Sequence, residues 1–253
     1  MSEWLAGWEL GPWDWAGALF AAWCIGLAKS GLAGAAMLNV LVMAAIFGAL
    51  PSVGIVLPLL IVADLLVYRL FRRHGSWRQV GTFAGPAVVG VVIGWLLLGR
   101  IDDDQARVLI GSLILAMLGL KLVTGLARGA VERIAGSGWF HWGCGIGVGV
   151  ATIVANAAGP ISALYLLVKK TGKLEFLGWS ARFYLLINLI KIPFLLQLGL
   201  IHGQSLAVNL YLAPAVVLGV LSGSWLIHRL PQMWFEWLMI GSALLAAVRL
   251  LWW

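Results

Sequence analysis

The chain is poor in charge. Only 11% of its 253 residues are Asp, Glu, Lys or Arg, and 62% are hydrophobic. A soluble domain needs far more polar surface than that. Cysteine is scarce as well. Cys24 and Cys144 each lie inside an apolar segment and read as small hydrophobes, not as a disulfide or a metal pair. The four histidines, His74, His141, His202 and His228, fall near the ends of different apolar segments. The sequence has no CxxC, HExxH, Walker loop or GxSxG. Without a nucleophile or metal-ligand spacing, the reading is a protein that is not an enzyme, with no metal and no cofactor. Long polar stretches are also missing, so 1–253 reads as a single transmembrane domain. Residues 1–15 carry Glu3, Glu9 and Asp14 and no basic region, unlike a signal peptide. The first apolar stretch is therefore expected to stay in the mature chain.

What is abundant is apolar sequence. Stretches fall at about 14–28, 32–50, 51–70, 80–99, 106–127, 138–154, 158–168, 176–200, 205–228 and 234–252. A span needs roughly 20 apolar residues, and some of these are shorter. The pairs 14–28/32–50 and 138–154/158–168 are joined only by AKSGLAG and ANAAGP. Such joins have too little polarity for aqueous loops. Each pair is expected to be a broken helix or re-entrant hairpin whose tip lies within the membrane. The fold class is then an all-α integral membrane protein of two halves, about 1–128 and 136–253, each a hairpin plus three transmembrane helices. A faint match of 51–68 with 175–192 sets Asp64 opposite Asn188.

The formal charge of +7 marks loops, not nucleic-acid binding. Arg69, Arg72, Arg73 and Arg78, then Arg128 and Arg133, Lys169, Lys170 and Lys173, and Arg229 fall on one side by alternation. The other side holds Arg100, Arg107 and Arg249 together with Asp102, Asp103 and Asp104. The positive-inside rule makes the first side cytoplasmic and both termini periplasmic, in an inner membrane. The first half then starts outside and the second inside, which is an inverted-topology repeat of the kind common in secondary transporters. Trp4, Trp8, Trp13, Trp252 and Trp253 form an expected outer belt; Trp77, Trp139, Trp142, Trp234 and Trp237 form an inner one.

Charges at membrane depth cost roughly 2.5–3.5 kcal/mol each on insertion scales, so each invites a functional reading. Lys121 lies close enough to Arg128 to snorkel. Lys191 lies midway along a long span, and Tyr184, Asn188 and Lys191 share one helix face, with Pro193 freeing a carbonyl nearby. Lys29 stands at the first tip with Ser30 and Gly31, where Ser30 is expected to cap the second arm. The second tip holds Asn156, Gly159 and Pro160. Free amides at the start of each second arm attract anions. The substrate site is expected where the two tips meet near the midplane, at Lys29, Ser30, Gly31, Asn156, Gly159, Pro160, Asn188 and Lys191. Asp64, Tyr184 and Arg182 are the expected coupling or gating residues, with Asp64 either a buried ion pair or a proton carrier.

The segments CIGLAKSGLAG (24–34), LPLLIVADLL (57–66), RRHGSW (72–77), ANAAGPISALYLL (155–167) and LLINLIKIPFLLQLGLI (185–201) resemble the sulfite exporter TauE/SafE family, the TSUP permeases. The resemblance covers most of the chain. It implies a small inner-membrane permease for sulfite, a small organosulfonate or another sulfur-containing anion. Arg182 departs from the aromatic or apolar residue expected there. The reading is a secondary transporter working by alternating access, with a small anionic substrate, the lipid bilayer and proton coupling as its partners. A small-anion channel and a permease for a carboxylate anion are the alternatives.

Overall fold

The computed structural model describes residues 10–32, 35–126, 137–169 and 171–226. Among these residues every regular element is an α-helix. In chain order they are α1 (Pro12–Lys29), α2 (Ala35–Phe47), α3 (Ala49–Phe71), α4 (Trp77–Leu98), α5 (Asp103–Leu126), α6 (Gly138–Ala155), α7 (Gly159–Val168), α8 (Lys173–Gln197) and α9 (Gly203–Leu226). The expected last span, Arg128, Arg133, Arg229, Arg249 and the Trp residues at 4, 8, 234, 237, 252 and 253 lie outside the described residues. The side chain of Lys121 does too.

Local chemistry explains most boundaries. Pro12 opens α1, where its missing N–H costs nothing. Ser76 and Ser137 cap α4 and α6 by accepting from the amides of Arg78 and Phe140. The carboxylate of Asp103, at the start of α5, accepts from the Leu50 amide at 2.8 Å and so caps α3. Prolines 58, 86, 193 and 214 sit inside helices, which membrane helices tolerate because neighbours re-satisfy the freed carbonyls.

Among the described residues five helices, α3, α4, α6, α8 and α9, are long and apolar enough to cross a membrane. The first arm of the second hairpin, Gly138–Ala155, is among them, since 18 residues reach about 27 Å, close to a bilayer's hydrocarbon thickness.

The helices pair crosswise. α1 lies along α9 and α6 lies along α4, in the strongest helix–helix contacts of the fold. Both seams are closed by glycine. A side chain at Gly26 would collide with the backbone of Val216 and Gly219, and one at Gly149 with the backbone of Ala87 and Gly90. Small residues permit this approach, and packing, not water exclusion, drives association in lipid. α3 and α8 pack against each other between the two seams.

The connections sort into two ends. At one, the carbonyls of Arg72 and His74 meet α8 at Gly178 and Arg182. At the other, Gly48 and Leu50 lie by Asp103, and Gly54 lies against Leu200. Trp13 and Trp139 are each 89% exposed, and Trp77 and Trp142 are about half exposed, consistent with aromatic belts. Cys24 and Cys144 are free and buried.

Candidate functional site

Helix α1 ends at Lys29 because the chain folds back on itself. The amides of Ser30, Gly31 and Leu32 donate to the carbonyls of Gly26, Ala28 and Leu27. Gly31 takes φ = 113°, which only glycine adopts freely. These amides are therefore already bonded, contrary to the expectation that they face an anion. The Ser30 hydroxyl does not cap the second arm either. It donates to Gly26 and Val220 carbonyls, both at 2.9 Å, because a hydroxyl at a helix C-terminus finds orphan acceptors and not donors.

The second tip is built differently. Asn156 ends α6 in the left-handed conformation, φ = 52°, the only described non-glycine residue with positive φ. Its side chain ties three helices together. Nδ2 donates to the Val53 carbonyl of α3 at 3.3 Å, and Oδ1 accepts from Lys191 of α8 at 2.6 Å. Gly159 and Pro160 then start α7, whose first amides have no carbonyl within the helix to meet. The Ser162 hydroxyl lies 2.6 Å from the Tyr184 hydroxyl.

A cavity of about 110 Å³ lies between the tips. Lys29, Gly31, Asp64, Asn156, Gly159, Tyr184 and Asn188 line it. That volume holds several waters or one small oxyanion. A single polar chain crosses it. Lys29 Nζ pairs with Asp64 Oδ1 at 2.6 Å, and Asn188 Nδ2 donates to Asp64 Oδ2 at 2.7 Å. Lys191 Nζ donates to Asn188 Oδ1 at 3.2 Å and to the Thr152 carbonyl at 2.7 Å. Lys29 also sits 4.3 Å above the Tyr184 ring, a cation–π contact. Asp64 and Lys191 are fully buried. Lys191 stands behind Asn156 and Asn188, not on the cavity wall. Pro160 and Ser30 are likewise off the wall.

The tips do not meet at one level. Asn156 is anchored to α3 at Val53, and Lys29 to α3 at Asp64. At 1.5 Å per residue those anchors are roughly 16 Å apart. Each first arm runs past the other, and the cavity fills the overlap. Val67, Leu177 and Ser180 line its part nearest the 72–77 connection, while the Lys191–Asn156–Val53 links lie toward the opposite end.

Arg182 is outside the cavity wall. Its guanidinium donates to the carbonyls of Arg72, His74 and Gly178, and lies 5.5 Å from Tyr68 and 5.9 Å from Trp77. It satisfies orphan carbonyls at the end of α3. A position one or two turns from a helix end is too close to distinguish such a clamp from a cavity residue by sequence.

Thr152, Ser162, Asn39 and Ser180 were not singled out by sequence. Asn39 had a signal: it is the sole strongly polar residue of AAMLNVLVMAAIF, and a lone amide at membrane depth needs a reason. The hydroxyls had none, since Ser and Thr bond their own helix readily. Among the described residues no cluster of His, Cys, Asp and Glu could hold a metal.

No curated protein and no solved structure matches the chain. A model of the sulfite exporter TauE/SafE family matches residues 18–250. With that match spanning nearly the whole chain and the helices arranged around a buried, charged cavity, the protein belongs to the TauE/SafE family of membrane transporters.

Proposed function

We propose that the cavity between Lys29 and Asn156 binds a sulfite or a small organosulfonate and that the chain carries it across the inner membrane by alternating access. The observation that carries this reading is a charge imbalance. One largely buried ammonium, Lys29, pairs with the single buried carboxylate, Asp64, while a second and fully buried ammonium, Lys191, is held only by neutral acceptors. Formally one positive charge is left over in a low-dielectric region, where uncompensated charge is costly. A monoanion with several acceptor oxygens balances it and accepts the directed hydrogen bonds that a dehydrated anion requires.

The crosswise pairing of α1 with α9 and α6 with α4 supports two inverted repeats, about 1–128 and 136–253. So does the contact of Asp64 with Asn188, since positions equivalent in two repeats approach each other near a two-fold axis. The lopsided cavity supports a carrier over a channel. It extends toward the basic connections and is closed at the other end by Lys191, Asn156 and Thr152, the arrangement of an inward-facing state. In this reading a proton arriving at Asp64 releases Lys29 to the anion.

Proteoliposomes with sulfite, sulfate, thiosulfate and sulfoacetate test the reading. Expected is saturable uptake of sulfite or sulfoacetate with counterflow, dependent on a pH gradient in wild type and independent of it in Asp64→Asn. Non-saturating flux without counterflow would make the protein a channel.

A further inference from the structure

Every polar residue that the sequence marked on this cavity is already engaged. Asp64 is held by Lys29 and Asn188, Asn156 by Lys191 and Val53, and Tyr184 by Ser162. These residues build a closed frame. Two cavity-lining side chains are different. Asn39, on α2, is 2% exposed, and its Oδ1 is buried with no hydrogen-bond partner. Ser180, on α8, has a buried hydroxyl oxygen with no partner either. Buried polar atoms are nearly always paired, and an unpaired one destabilises the fold. In a membrane helix no lipid can repair that.

We propose that Asn39 and Ser180 are the side chains that hydrogen-bond the transported anion, with Asn39 the specificity-determining contact. This rests on the transport reading above. The anion sits on the Lys29 side of the cavity, receiving the Lys29 charge, the Asn39 amide hydrogens and the Ser180 hydroxyl. Asn39 Oδ1 accepts from any O–H or N–H the substrate carries. The unpaired atom is an acceptor, so the site favours a sulfur oxyanion or sulfonate that bears an O–H or N–H over one that has none. The frame of Asp64, Asn188, Asn156 and Lys191 positions these groups and does not itself contact the ligand.

Purified protein in lipid nanodiscs, titrated with sulfite, methanesulfonate and sulfoacetate, provides the test. The readouts are the anion-dependent rise in Tm and the Kd. For wild type at least one anion raises Tm. Asn39→Leu removes an unpaired buried polar group, so its ligand-free Tm is expected at or above wild type. Its Kd is expected about 10- to 100-fold weaker, as for loss of a hydrogen bond to a charged group. Asn39→Asp keeps the shape but sets a negative charge against the anion, and the Tm rise should vanish. Ser180→Ala should weaken binding by about 5- to 10-fold. Wild-type affinity in a folded Asn39→Leu, or in Asn39→Asp should the first not fold, overturns the proposal while leaving the transport reading intact. A wild type that no anion stabilises overturns both.

Discussion

The two tips occupy corresponding places in the chain but do opposite work. The first ends α1 with its amides turned back onto its own carbonyls and its hydroxyl on α9, leaving Lys29 as its charged group at the cavity. The second ends α6 with a left-handed Asn156 clamped from two sides and then opens α7 toward the cavity at Gly159. In the proposed site the first tip supplies charge and the second supplies rigidity, and separate tips let the two be moved relative to each other.

The largest effect should come from separating charge from stability at the first tip. Lys29→Met leaves Asp64 buried without its cation, a loss of about 3–5 kcal/mol in stability. Adding Asp64→Asn should recover most of that in thermal unfolding, because Asn can still bond Asn188. Anion binding should stay lost in both variants. A double variant that binds sulfite normally would shift the charge requirement onto Lys191 alone.

Backbone conformation sharpens the contrast next. At Asn156, Gly and Ala lose the same side-chain bonds, but only Ala resists the left-handed conformation. Asn156→Ala should be less stable than Asn156→Gly by about 1 kcal/mol. At Ser30, whose φ is −78°, the order should reverse, with Gly the less stable by roughly 0.5–1 kcal/mol. Chemical or thermal unfolding of the four variants reads this directly. The same sign at both positions would mean that the tips share one design.

The smallest effect is expected at Tyr184. Tyr184→Phe keeps the ring beneath Lys29 and loses only the hydroxyl bond to Ser162, about 1 kcal/mol. Sulfite affinity should change by only a few-fold. A large loss would give the hydroxyl itself a place at the ligand.

Much of this was legible in the residues. AKSGLAG and ANAAGP announced helix breaks, since glycine, asparagine and proline clustered within a few residues favour a turn over a continued helix. Lys29, Asp64 and Lys191 stood out because charge in apolar sequence is costly whatever the fold. Partners were not legible. Nothing in the residues bonds Lys29 to Asp64 and Lys191 to Asn156, as opposed to the reverse, because the choice depends on a stagger of the tips set by arm lengths and by glycine seams. Arg182 was ambiguous for the same reason: its distance from the helix end matters less than which carbonyls come to meet it.

Composition and pattern alone establish a helical, membrane-embedded chain, the places where its helices break and the charges whose burial is costly. Those are local or compositional properties, fixed by backbone freedom and by the cost of polarity in lipid. Packing settles which polar groups satisfy one another and which atoms, like Asn39 Oδ1 and Ser180 Oγ, are left without a partner. Hydrogen bonds act over about 3 Å, so helices far apart in the chain must first be packed before any donor can find, or fail to find, its acceptor.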